Sequence, residues 1–135
     1  MVVAALAAAV AFLLAVDFAW RCLALPEWLV PLRDDYRTRL AAVKIADGVD
    51  VSEAEEIARL YMVEYVSGCG APLTPELRDG TWTSALRLGV AGELSDRVVK
   101  IDAKTGAVSS AGGPEFASFS EFADDLVGGI AARRR

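Results

Sequence analysis

The sequence predicts an α+β protein: an N-terminal transmembrane helix, then helices packed on a small antiparallel sheet. Three observations carry this. Residues 1–16 hold no charged side chain. Two stripes of helical period follow between residues 34 and 67. After Gly80 the apolar period drops to two, and the strands are joined by a hairpin and not by crossovers.

The apolar run comes first. Phe18, Ala19 and Trp20 extend it past a single Asp17. Twenty residues at about 1.5 Å each reach about 30 Å, the hydrocarbon thickness of a bilayer. The Val, Leu and Phe residues within 1–20 favour insertion by about 4 kcal/mol. Asp17 sits near the end, where it costs less than the roughly 3 kcal/mol of a mid-bilayer acid, and Arg21 lies one helical turn on. Insertion wins narrowly. The alternative, a buried helix in a soluble domain, needs cover on every face, which a chain of 135 residues would struggle to supply. No basic residue precedes the run and no small-x-small site follows, so residues 1–25 are expected to be an uncleaved anchor and not a signal peptide.

Arg21, Arg33, Arg37, Arg39 and Lys44 all lie on the C-terminal flank. The protein is therefore expected to be a single-pass protein of the cell membrane, and the positive-inside rule places its domain in the cytoplasm. A start further upstream that brought basic residues would reverse this orientation.

Pro26 and Pro31 break the anchor, leaving 26–33 as a membrane-proximal connector and 34–135 as one α+β domain. Asp34 and Asp35 open a helix with Tyr36, Leu40 and Val43 on one face, ending at Gly48. Ser52 and Glu55 form a capping-box pattern before a second helix. There Ala54, Ile57, Ala58, Tyr61 and Tyr65 make the buried stripe, and Ser67-Gly68 stops it. Pro72 and Pro75 mark a loop.

Strand patterns come next. Trp82, Ser84, Leu86 and Leu88 alternate with Thr81, Thr83, Ala85 and Arg87. Residues 89–96 read as a connection, and 97–102 as a strand with Val99 and Ile101 on one face. Asp102-Ala-Lys-Thr-Gly106 is hairpin chemistry, returning along 107–110. Ser118 and Glu121 cap a last helix carrying Phe122, Leu126 and Val127, which Gly128-Gly129 weakens, before the basic end 133–135.

Several of these segments together resemble a known group. The runs Glu53-Ala54-Glu55-Glu56-Ile57-Ala58-x-x-Tyr61, Asp79-Gly80-x-Trp82 and Val99-x-Ile101-Asp102-x-x-Thr105-Gly106-x-Val108 resemble bacterial small cystatin-like domains. Among these are the nuclear-transport-factor-fold immunity proteins and, more loosely, PepSY-type domains. The resemblance spans roughly residues 50–112. It implies a helix lying across a curved antiparallel sheet, and a role in binding and inhibition without turnover. Abundant alanine, glycine and arginine beside only three lysines fit a bacterial source.

Composition narrows the chemistry. The chain has no histidine, so no Ser-His-Asp or Cys-His machinery and no His-ligated metal exist. A net charge of −5 argues against nucleic acid as a partner. Asp34/Asp35, Glu55/Glu56 and Asp124/Asp125 are neighbours in sequence, which on a helix point apart and make no acid–base dyad. The segment 47–52 lacks the spacing of a calcium loop. Cys22 and Cys69 are not expected to pair, and Cys69 reads as a packed thiol. Glu53, Glu56 and Glu64 read as a solvated helix face. No catalytic residue, metal or cofactor is therefore expected.

Tyr61, Tyr65 and Trp82 remain as candidate partner-binding residues, because large aromatics anchor interfaces. The same three also suit the packing of helix on sheet. The expected protein is a membrane-anchored, non-enzymatic binder of another protein, an immunity or inhibitor protein that covers its partner. The alternative is an accessory or structural subunit of a bacterial envelope complex.

Overall fold

The computed structural model describes residues 35–132, with side chains to residue 129. The expected anchor (1–25) and connector (26–33) lie outside the described residues. Among the described residues no helix is long and apolar enough to cross a membrane. The α+β class is as expected, with helices on one five-stranded antiparallel sheet.

The chain enters as α1, helical over 35–41, and a short 3-10 turn follows at Ile45–Asp47. Tyr36, Leu40 and Val43 are buried together, as their spacing predicts. The helix stops earlier than expected, and Gly48 closes the separate turn with its N–H on the Ile45 carbonyl at 3.0 Å.

Helix α2 spans Val51–Tyr61 and continues as a π-helical turn over Met62–Val66. Its cap is Asp50, not Ser52. The Asp50 carboxylate accepts from the Glu53 N–H at 2.8 Å, and Glu53 reaches back to the Asp50 N–H at 3.0 Å. Glu53 also accepts from the Lys44 N–H at 2.7 Å, which ties the preceding loop to this helix start. The expected solvated face is thus partly occupied, since Glu56 meets Arg39 of α1 at 2.8 Å.

The sheet runs β1 (Gly70–Pro72), β2 (Glu76–Arg78), β3 (Thr81–Leu88), β4 (Glu93–Asp102) and β5 (Val108–Ser110). β1 and β2 pair with two stretches of the same edge of β3, and β4 and β5 follow on its other side. The stretch containing Pro72 and Pro75, expected as loop, is therefore one outer strand interrupted at 73–75. The gap is tied down by Leu73, whose N–H donates to the Ala85 carbonyl at 2.8 Å. The Leu73 carbonyl in turn accepts the Ser84 hydroxyl at 2.6 Å. β4 starts earlier than expected, within the segment read as a connection, and its register against β3 shifts between Ala85 and Arg87.

The β4–β5 turn follows the sequence pattern. Asp102 Oδ1 accepts from the Lys104 N–H at 2.9 Å, the Thr105 N–H at 2.7 Å and the Thr105 hydroxyl at 2.9 Å. Gly106 sits at φ +66°, and a Cβ there would press on Phe119 Cβ at 2.7 Å and Ile45 Cδ1 at 2.9 Å. Helix α3, Phe119–Ala132, runs on through the Gly128-Gly129 pair. Its expected capping box is half present: Ser118 Oγ accepts from the Glu121 N–H, while Glu121 reaches Ala117 instead.

The helices cover one face of the sheet. Leu86, Val99, Ile101 and Val108 point into a core with Ala54, Ile57, Tyr61, Phe122 and Leu126, each at most 1% exposed. Burying side chains of this size stabilises by about 1.5–3 kcal/mol apiece. Among the described residues no helix lies over the opposite sheet face, although the segment 115–121 borders it beside β5.

Candidate functional site

The two large hydroxyl-bearing aromatics of α2 take different roles. Tyr61 is 0% exposed, and its hydroxyl donates to the Pro114 carbonyl at 2.7 Å. Burial pushes its phenol above the ordinary value. Its offset in the stripe places it wholly inside the core, so Tyr61 offers no surface to a partner. Tyr65 is half-buried and stacks between Tyr61 and Phe116 at ring distances of 5.1 and 5.4 Å. Its hydroxyl donates to Asp125 Oδ2 of α3 at 2.6 Å. Burial, then that carboxylate, hold its phenol far above the ordinary range. Trp82 is half-buried, and its indole N–H donates to the Val49 carbonyl at 2.8 Å. The structure therefore ties all three to other elements, and it does not gather them on one outer surface.

Cys69 corrects another expectation. It is an exposed free thiol, not a packed one. Ser67 Oγ bonds both its N–H and its carbonyl, which holds the turn outward before β1 begins. Cys22 lies outside the described residues.

The uncovered sheet face is where polar side chains converge. Strand alternation sends Thr81, Thr83 and Ala85 of β3 away from the core, with Val98, Lys100 and Asp102 of β4. Register then sets two rows across the strands. One row runs Glu76, Thr83, Lys100, Ser109. The other runs Arg78, Thr81, Asp102, Ala107, its last step fixed by the Asp102 N–H on the Ala107 carbonyl at 2.9 Å.

No family model, curated protein or solved structure matches this chain.

Two hollows adjoin on this face. One, of about 530 Å³, is lined by Thr81, Lys100, Asp102 and Ser109 with Glu115 and Glu121 at its side. The other, of about 410 Å³, is lined by Leu73, Glu76, Arg78, Thr83 and Val98. Charges alternate along and across the rows. Glu76 and Arg78 form an ion pair at 2.8 Å. The carboxyl of Asp102 is held below the usual carboxylate range, first by the Thr105 N–H, then by the Thr105 hydroxyl and the Lys104 N–H. Among the described residues no group of His, Cys, Asp and Glu is placed to hold a metal ion.

The sequence alone does not single out this face. Alternation around Val99 and Ile101 already puts Lys100 and Asp102 outward. What it cannot give is the pairing that sets Glu76 beside Thr83 and Thr83 beside Lys100, because that requires the register.

Proposed function

We propose that the protein is a membrane-anchored, non-enzymatic binding module that works through the uncovered face of its sheet. The observation that carries this reading is the pair of charge-alternating rows over two adjoining hollows. Such a face suits a polar protein surface with its own alternating charges, where complementarity sets register and specificity. Inhibition by covering a partner's working site, as the resemblance to cystatin-like immunity domains implies, is the concrete form of this role. The anchor in this reading is residues 1–25, whose first twenty residues carry Asp17 as their single charged side chain and reach about 30 Å as a helix.

The apolar run also favours a second reading, an accessory subunit of an envelope complex whose anchor contributes to assembly. A photo-crosslinking side chain in place of Thr83 tests the first reading in the native host, with one in place of Val51 on α2 as control. The expected result is a single protein adduct from position 83, lost in Lys100→Glu, and none from position 51. Equal adducts from both positions would sink the sheet-face assignment. If the purified partner then binds the full chain but not one lacking residues 1–25, the envelope-subunit reading replaces inhibition.

A further inference from the structure

The uncovered sheet face is self-complementary in charge, and we infer that it pairs with the same face of a second copy of this chain. The inference rests on the functional reading's choice of face, and the second copy occupies that face only while no other partner does.

The rows supply the argument. Residues two apart on one strand face are separated by about 6.8 Å, and neighbouring strands by about 4.8 Å. The face is therefore a grid in which Glu76 and Lys100 share one row while Arg78 and Asp102 share the next. Consider a two-fold axis lying in the face, across the strands and midway between the rows. It sets each row over the other row of the second copy. Glu76 then meets the second copy's Arg78, and Lys100 meets its Asp102, each twice by symmetry. An axis along the strands sets Lys100 over Thr83 and Glu76 over Ser109, and opposes no charges. The pattern thus selects one geometry.

Side-chain size allows the approach. Thr81, Thr83, Ala107 and Ser109 are short and half-buried, which lets the rows approach, while Glu115 and Glu121 stand at the margin beside β5. The two hollows give the long side chains of Arg78 and Lys100 somewhere to lie. Lys100 is exposed, and the Glu76–Arg78 ion pair, 2.8 Å within each copy, becomes part of a four-charge cluster with its symmetry mate. The paired face of four strands and two rows covers about 260 Å² per copy, a third of the roughly 800 Å² of a standard interface. The dimer is accordingly weak, salt-sensitive and dependent on charge pattern.

Sedimentation equilibrium of the full chain in nonionic detergent tests this at low salt, up to about 300 μM. Wild type is expected to dimerise, and 1 M salt to weaken the association. Glu76→Arg and Arg78→Glu, both at exposed positions, should each weaken it about tenfold, with unchanged unfolding midpoints. An equimolar mixture of the two variants should associate again, since one then carries two negative charges at positions 76 and 78 and the other two positive charges. The double variant E76R/R78E should dimerise like wild type. A wild type monomeric at the highest concentration overturns the inference. So does association that both single variants retain, which would place pairing elsewhere, including the apolar run. Either failure leaves the Thr83 crosslinking result untouched, so the two ideas fail separately.

Discussion

Tyr65, on the π-helical end of α2, donates its hydroxyl to Asp125 of α3 at 2.6 Å. This bond joins two helices whose Tyr61, Tyr65 and Phe122 rings also meet, with Phe116 of the preceding segment beside them. Tyr65 lies four residues after Tyr61, on the same helix face, and meets both the Tyr61 and Phe116 rings.

Tyr65→Phe keeps the ring stacking and removes the bond, and is expected to cost about 1 kcal/mol in urea unfolding. The pH dependence has a definite sign. The folded-state phenol is raised above its ordinary value of 10.0, whereas the unfolded phenol ionises near that value. The unfolded state then holds fewer protons, so stability is intact below about pH 10 and falls as pH rises beyond it. Tyr65→Phe should flatten that fall. Unfolding midpoints between pH 8 and 11 decide the matter, and an equally steep fall in the variant would contradict it.

Asp102 gives the opposite slope. Its folded-state carboxyl is lowered from 3.8 by the Thr105 and Lys104 donors. Its contribution is therefore present above about pH 4 and lost as pH falls through the folded value. Asp102→Ala should destabilise by about 1–2 kcal/mol at neutral pH, with a smaller acid-dependent loss than wild type between pH 6 and 2.5. Denaturant titrations across that range measure it.

Among the described residues the Ser110 hydroxyl has no hydrogen-bond partner, although the residue is only 8% exposed. Removing an unpaired buried hydroxyl relieves its desolvation cost. Ser110→Ala is expected to be neutral or to stabilise by up to about 1 kcal/mol, read from the thermal midpoint. A loss above about 1 kcal/mol would mean that the hydroxyl has a partner.

Gly70, the first residue of β1, sits at φ +139°. A Cβ there would fall on the Arg87 carbonyl oxygen across the strand pair. Gly70→Ala should cost more than about 2 kcal/mol and loosen β1 from β3, because both backbone strain and overlap oppose it. Hydrogen exchange at Arg87 and Gly89 would rise sharply. Unchanged protection there would show that the outer strand can shift to make room.

Much of the covered side of the fold is legible in the sequence. The stripe Ala54, Ile57, Ala58 and Tyr61 and the pair Val99 and Ile101 are each 0% exposed, because a single period fixes each set. Helix starts are less legible. Asp50 with Glu53 and Ser52 with Glu55 both satisfy the capping spacing, and tertiary context decides. The Lys44 N–H on Glu53 belongs to that context, and no local pattern contains it. β1 and β2 escape detection because each has three residues and prolines interrupt them. Tyr65 shows the limit for sites: its helical offset matches the core stripe, yet the π turn and Asp125 settle where it lies. The charged rows of the open face are less legible still, since neighbours across strands are distant in sequence.

The interrupted outer strand has a consequence for how the protein behaves when concentrated. Pro72 supplies no N–H, and the chain leaves the ladder from 73 to 75 before Glu76 resumes it. Along that margin an incoming strand finds no unbroken series of backbone donors and acceptors to copy. Fibril growth by templated strand addition, the common fate of crowded β-rich chains, is denied a seam on this side of the molecule.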